Sequence, residues 1–324
     1  WEWIFFINLP IGVVAFVLAW MLVPNLETHP HRFDVGGVLL SAVGLFLIVF
    51  GLQEAATYNW GVIWGPISVW SLIGVGVLVM VVFVWWQSRT KSEPLVPLEL
   101  FRDRNFALTN VGISAVGFTV TSMSLPYMFF LQLARGLTPT QAALLLVPMA
   151  LLSGILAPFA GQLLDRIDPR LMLVPAMLMV GGALVWYVAL MNTSSPIWMF
   201  LLPSALMGIA NAGMWGPLAT TATRNLPPRQ AGAGAGIYNT TRTVGSVVGS
   251  AAIAALMQSR LVENLPGAAD ATGGDFGQGT LPPVIAEGFA TAMAQSLLLP
   301  AAVAVLGGVI MLFLQRPAFL DEKH

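Results

Sequence analysis

Leu171–Met191 reads LMLVPAMLMVGGALVWYVALM, a run of 21 residues without one charged side chain. As an α-helix rising about 1.5 Å per residue, such a run reaches across the roughly 30 Å hydrocarbon core of a bilayer. Hydrocarbon offers a backbone amide no partner, so a segment crossing it must satisfy its own polar groups, and apolar runs of this length do so as helices rather than as alternating barrel strands. Eight further runs flank this one, punctuated by proline, glycine and charge. The nine predicted spans cover 4 to 23, 35 to 53, 67 to 86, 106 to 131, 142 to 164, 171 to 191, 197 to 222, 231 to 257 and 289 to 314. The fold class expected is all-α, a polytopic transmembrane helical bundle with the lipid bilayer as its solvent.

Composition leads to the same place. Of 324 residues, 57% are hydrophobic and 9% charged, against about 25% charged in an ordinary soluble domain, which leaves too few charges to cover a water-soluble fold. With no cysteine there is no disulfide, thiolate metal site or cysteine nucleophile. A formal net charge of −1 predicts no nucleic-acid partner. An embedded enzyme would want clustered His, Asp, Glu or Ser at a membrane boundary, and His29, His31 and Asp34 form the one such cluster, at a spacing with little metal specificity. A channel would want pore-lining acid rings or a carbonyl filter, and neither is legible. No enzyme activity, metal or cofactor is expected.

Basic residues orient the stack. Alternate loops place Arg32, Arg89, Lys91, Arg102, Arg104, Arg166, Arg170, Arg224, Arg229, Arg316 and Lys323 on one side, Arg135 and Arg260 on the other, and Arg242 inside a span. The positive-inside rule puts the larger group, and the C-terminus, in the cytoplasm. Trp1 then starts outside, in an apolar run with neither an initiator Met nor a basic region before it, so the chain looks cut from something longer. Trp60, Trp64, Trp70 and Trp198 near outer ends, and Trp85 and Trp86 near an inner end, read as headgroup anchors. The outer loop from about 258 to 288, rich in Gly, Ala, Asp and Pro, reads as a long surface connection.

The turn from Gly161 to Arg170, GQLLDRIDPR, packs charge between two spans. Its glycine permits close helix approach, and Asp165 is expected to meet the next helix N-terminus or to pair with Arg166 or Arg170; a solvated turn obeying positive-inside is the simpler alternative. Gly161, Leu163, Asp165, Arg166 and Arg170 resemble the second-half copy of the signature loop of the major facilitator superfamily, departing from it at Asp168 and Pro169. The opening Trp1–Gly12, WEWIFFINLPIG, resembles the entry to the sixth span in that superfamily's fourteen-span drug:proton antiporter branch. Arg32, Phe33, Asp34, Gly36 and Gly37 resemble the start of its seventh span, and Tyr238–Thr243 with Gly245 and Gly249 its thirteenth.

That resemblance implies a division of the chain. Residues 1–23 would be the last helix of an N-terminal bundle, 24–105 two linker spans and a cytoplasmic loop, 106–314 a C-terminal six-helix bundle and 315–324 a cytoplasmic tail, with five preceding spans as the missing partner. The implied function is a multidrug-efflux type exporter of hydrophobic or amphipathic small molecules in the inner membrane, exchanging them for protons by alternating access. A non-transporting scaffold, or a transporter of another solute on the same fold, is the alternative. No Asp or Glu falls in the middle of a predicted span, so the proton-carrying carboxylate is expected in the missing spans.

Several polar residues stand inside apolar spans. Arg242, about twelve residues into its span, costs at least about 2.5 to 3.5 kcal/mol near the bilayer middle; it faces a cavity as a substrate or coupling group, snorkels to the headgroups, or pairs with a neighbouring helix end. Asn211 and Asn239, with Asn110 and Gln295, are either glue between helices, at about 0.6 to 2 kcal/mol each, or substrate contacts. Asn211, Asn239, Tyr238 and Met214 are the candidates grouped with Arg242. Gly245 and Gly249 make a Gly-x-x-x-Gly step for close packing, while Gly216 and Pro217 suggest a helix break. Met123, Tyr127, Phe129, Phe130, Met149, Met214 and Trp215 suit either an adaptable apolar pocket or plain core packing.

Overall fold

The computed structural model describes residues 2–22, 34–55, 57–58, 60–90, 94–227, 230–265 and 281–315, without the side chains of 2–5, 7, 283 and 284. Trp1, His29, His31, Arg32, Phe33, Lys91, Arg229, Arg316, Lys323 and the segment 266–280 lie outside the described residues. The chain divides into two compact units, residues 1–33 and 34–324. The first is a single helix, α1 (Glu2–Leu22), which carries Pro10 internally and sets Phe16 beside Trp20 at 6.0 Å between ring centroids.

The second unit begins with a helical hairpin, α2 (Val35–Glu54) and α3 (Val69–Arg89). Its base is a polar knot on Asp34. That carboxylate caps α2 by accepting from the Gly37 amide at 2.8 Å, and also accepts from Trp86 Nε1 at 3.1 Å and Gln87 Nε2 at 2.7 Å on α3. A Cβ on Gly37 would stand 2.2 Å from the Asp34 Oδ2 and 2.4 Å from the Gln87 amide nitrogen, so a side chain here would displace both members of the knot. At the other end, the tryptophan-rich connection forms a two-stranded hairpin that the sequence reading did not anticipate, β1 (Val62–Trp64) with β2 (Ile67–Ser68), turning at Gly65, whose φ is +52°. Trp60 and Trp70 pack beside it, their rings tilted by 32° with centroids 5.1 Å apart.

The remaining helices form one bundle: α4 (Arg104–Phe129), α5 (Pro139–Leu144), α6 (Val147–Leu164), α7 (Arg170–Leu190), α8 (Leu201–Ala212), α9 (Trp215–Thr223), α10 (Ala231–Asn264), α11 (Pro283–Ser296) and α12 (Leu298–Met311). Eight stretches among the described residues are long and apolar enough to cross a membrane, and they overlay eight of the nine predicted spans; the first falls on α1, whose apolar part Asn8–Leu22 is shorter. The bundle's outer surface is apolar, as at Leu151, Ile155 and Phe159, which suits lipid rather than water.

Three spans are broken, each just ahead of a proline. Helix α5 ends at Leu144 before Pro148, α8 at Ala212 before Pro217, and α11 at Ser296 before Pro300. Proline lacks an N–H and its ring crowds the carbonyl four residues earlier, so the ladder opens there. The break expected at Gly216 and Pro217 therefore lies one turn upstream, at Gly213 and Met214. Helix α10 runs on to Asn264, seven residues past its predicted end at 257, so it takes in the start of the connection expected from about 258 to 288.

Helix α10 lies along α4 at backbone contact distance. Cβ atoms on Gly245, Gly249 and Gly117 would come within 2.1 Å of the Ser114 carbonyl, 2.6 Å of the Phe118 carbonyl and 2.3 Å of the Arg242 carbonyl. Neighbouring backbone cannot retreat as a flexible side chain can. Gly245→Val is therefore expected to cost at least about 1–3 kcal/mol and to lower the melting temperature in detergent by several degrees. Gly232→Ala, where a Cβ meets nothing within 4 Å, should be neutral or slightly stabilising; equal behaviour of the two variants would refute the close approach.

Asp34 yields a pH prediction. Partial burial pushes its carboxyl up, but the hydrogen bonds from Gly37, Gln87, Trp86 and Leu95 outweigh that and hold it below the ordinary value. A carboxyl depressed in the fold stabilises above its unfolded value, near 3.9, and loses that contribution as pH falls through the lower folded value. Amide exchange at Gly36–Leu39 should accelerate relative to the rest of α2 below about pH 4, and Asp34→Ala should abolish the protection at every pH.

Candidate binding cavity

A cavity of about 300 Å³ lies inside the bundle, walled by α4, α6, α7, α8, α9 and α12. Five methionines line it, Met123, Met149, Met177, Met207 and Met214, together with Val116, Val180 and Trp215. Unbranched thioether side chains refit around ligands of different shape, so this wall is apolar and adaptable at once. Two of the proline-induced breaks border it, through Leu146 before α6 and Met214 before α9. Non-helical backbone is tolerated in a membrane where protein buries it or a cavity receives it. Toward the end of the bundle that carries few basic residues, one to two helical turns beyond the cavity, Tyr127, Phe130, Tyr187 and Phe200 pack ring on ring at centroid distances of 4.7 to 6.4 Å. Each is at most 1% exposed, so the cavity is stopped on that side.

Toward the basic end, a second cavity of about 350 Å³ runs between α6 and α9, lined by Ser153, Ala157, Gly161, Asp165 and Thr220. Asn211 and Trp215 line both cavities. At the mouth of the second, Arg224 at the end of α9 reaches Asp165 at 3.2 Å. Next to it, Asn225 donates to the Asp103 carboxylate at 3.2 Å, while Asp103 caps α4 through the Phe106 amide. The end of α9 thus ties α4 and α6 together. Asp165 does not pair with Arg166 or Arg170: Arg166 is exposed, and Arg170 faces Asp168 at 3.8 Å with its amide on the same carboxylate at 2.9 Å. Asp165 finishes α6 and points across to α9, so a residue 59 positions away outcompetes its sequence neighbours. At the opposite end, Arg135 donates to the Asn192 carbonyl at 2.8 Å, and burial lowers its pKa from the ordinary arginine value.

The five candidates from sequence separate into two groups. Asn211 and Met214 stand at the cavities. Arg242 and Asn239 are exposed on α10, and Tyr238 is buried with its hydroxyl unpartnered among the described residues. Asn239 donates its amide to the Ala235 carbonyl at 3.0 Å, and Thr243 donates to the Asn239 carbonyl. Because α10 begins at Ala231, Arg242 stands about 17 Å along the helix, with no hydrogen-bond or ion-pair partner among the described residues. Of the aromatic and methionine residues proposed from sequence, Met123, Met149, Met214 and Trp215 line the cavity, Tyr127 and Phe130 belong to the aromatic stop, and Phe129 is exposed. Met177 and Met207 were not singled out; each recurs in a methionine-rich span, which was the available signal.

Among the described residues no cluster of His, Cys, Asp or Glu is arranged to hold a metal.

Residues 1–250 match the family model of the Major Facilitator Superfamily. An uncharacterized MFS-type transporter of Mycobacterium tuberculosis is 47% identical over 97% of this chain, and the chain spans 54% of that relative. The tetracenomycin C resistance and export protein of Streptomyces glaucescens is 28% identical over 100% of this chain, which spans 64% of it. In fold, a bacterial homolog of the human lysosomal transporter Spinster matches with a TM-score of 0.52 at 18% identity, over 86% of this chain and 66% of that one. The chain spans about half the length of the curated relatives it matches. Its helices, its apolar surface and the family match agree that this is an integral membrane protein of the Major Facilitator Superfamily, and the chain belongs to that family.

Proposed function

We propose that the chain is the C-terminal part of a secondary active exporter of hydrophobic or amphipathic small molecules. It works by alternating access in the cytoplasmic membrane with its C-terminus inside, and exchanges substrate for protons. The observation that carries this reading is the methionine-lined cavity: its walls suit varied apolar bodies, and the second, more polar cavity extends it toward the basic end of the bundle. The resemblance to the fourteen-span antiporter branch, and a relative named for resistance and export, support the direction of transport. In this reading residues 1–23 close a preceding bundle, 24–105 are the linker pair, 106–314 the C-terminal bundle and 315–324 the tail.

Specific roles follow. The exposed strip of Asn239, Arg242 and Thr243 on α10 is polar surface within a membrane span, and such surface belongs against water or protein rather than lipid. Arg242 there serves as a coupling or substrate-contacting cation beside Tyr238, opposite a carboxylate supplied by the preceding spans. Gly161, Asp165, Arg166 and Arg170 form the loop at the cytoplasmic gate, with Arg224 as the partner that latches Asp165. Gly245 and Gly249 hold α10 to α4 through the cycle.

Transport in everted vesicles carrying the full-length protein tests this. Uptake of a hydrophobic fluorescent dye should require an acid interior and stop when an uncoupler collapses the gradient. Uptake indifferent to the gradient would refute proton coupling, and no uptake of any hydrophobic dye would refute the exporter. Met207→Trp, which fills the cavity, should lower dye uptake about tenfold while the protein still reaches the membrane, a loss equivalent to about 1.4 kcal/mol. Arg242→Ala should remove the gradient dependence, whereas Arg242→Lys keeps part of it.

A further inference from the structure

The two cavities meet at Asn211 and Trp215, and Asn211 behaves unlike the other asparagines of the bundle. Asn105, Asn110, Asn239 and Asn264 each donate their amide to a backbone carbonyl, of Gln315, Phe106, Ala235 and Arg260 respectively. The Asn211 side chain has no hydrogen-bond partner among the described residues. One flank of it is the methionine wall, where an unpartnered carboxamide is costly. The side chain is half-buried, so its polar atoms are open to a partner from within the cavities, water or ligand.

The chemistry around the junction narrows what that partner is. On one side the wall is mainly methionine, valine and tryptophan, its two hydroxyls, Thr119 and Ser124, donating to the Pro300 and Val120 carbonyls, and a volume of about 300 Å³ stands at the lower limit for drug-sized ligands. It holds an apolar body, and the rest of a larger molecule extends into the neighbouring space. On the other side Ser153 and Thr220 offer hydroxyls, and Asp165, the carboxylate that lines this space, is matched by Arg224. A cationic head would meet a carboxylate already neutralised, and a wholly apolar molecule would leave the Asn211 amide dry.

Resting on the exporter reading above, we propose that the substrates are bipartite: an apolar body seated among the methionines, and a neutral hydrogen-bonding head, an amide, carbonyl or hydroxyl, held by the Asn211 side chain. Asn211 then sets specificity by the difference between a head that pairs with it and one that cannot. A polar group that a bound ligand cuts off from water rejects the analogue that leaves it unpaired more strongly than an apolar wall rejects a change of shape.

Two fluorescent probes of one body test it on the full-length protein in detergent: pyrene-1-carboxamide, which carries such a head, and 1-isopropylpyrene, its apolar counterpart. In Asn211→Leu, binding of the carboxamide should weaken about tenfold while that of the isopropyl probe stays within about twofold. The retained isopropyl binding shows that the variant is folded. Asn211→Ser, which keeps one hydroxyl, should show a smaller loss of the same sign, so misfolding of one variant does not decide the matter. Equal losses for both probes, or none, overturn the assignment of Asn211 and leave the exporter reading standing. If the wild type binds neither probe, the cavity reading falls and this assignment falls with it.

Discussion

A backbone amide in hydrocarbon has no partner but the chain itself, and the rest of this structure depends on that constraint. It makes every crossing helical, and it limits where a helix is allowed to stop. Pro148, Pro217 and Pro300 each interrupt a span, and the interruptions sit inside the bundle rather than on its lipid face. Two of them shape the methionine-lined cavity through Leu146 and Met214. The third, at Leu297, is fully buried. Residues that would be defects on the outside therefore become the means of opening space within.

The same constraint governs the polar side chains. Most carboxylates and amides among the described residues are tied within the protein: Asp34 to the foot of its hairpin, Asp103 and Asn225 to each other, Asn105 to the Gln315 backbone after α12. These bonds gather at the two ends of the bundle, where water lies, and leave the middle to close packing of glycine against backbone along α4 and α10. Arg242 and Asn211 depart from this economy within the spans, as does the buried Tyr238 hydroxyl, each without a hydrogen-bond partner among the described residues. Charge and amide left open in a membrane protein mark places where something else is meant to bind.

Much of this was legible in the sequence, and the rest failed for identifiable reasons. Hydropathy is a property of each segment by itself, so the spans could be read one at a time. Pairings across segments could not: Asp165 had Arg166 and Arg170 within five residues, and nothing in one dimension marks Arg224 as its partner. The hairpin at Val62–Ser68 involves strands of three and two residues, too short to show an alternating pattern, although Gly65 and Pro66 were a turn signal. The helix breaks were readable in principle from the prolines, but proline acts on the carbonyl four residues earlier, so the break near Pro217 was expected a turn too late. Met123, Met149, Met214 and Trp215 were visible as candidates because of their type, whereas the convergence of Met177 and Met207 on them required the packing of α7 and α8.

The central claim is that the methionine-lined cavity is where the transported molecule sits. Photolabelling the full-length protein in lipid vesicles with an apolar ligand that bears a diazirine, followed by peptide mass spectrometry, tests it most directly. The account predicts adducts concentrated on the α4, α6 and α8 peptides that carry Met123, Met149 and Met207, and competed away by excess unlabelled ligand. Labelling spread over lipid-facing residues such as Leu151, Ile155 and Phe159, and unaffected by competitor, would contradict it.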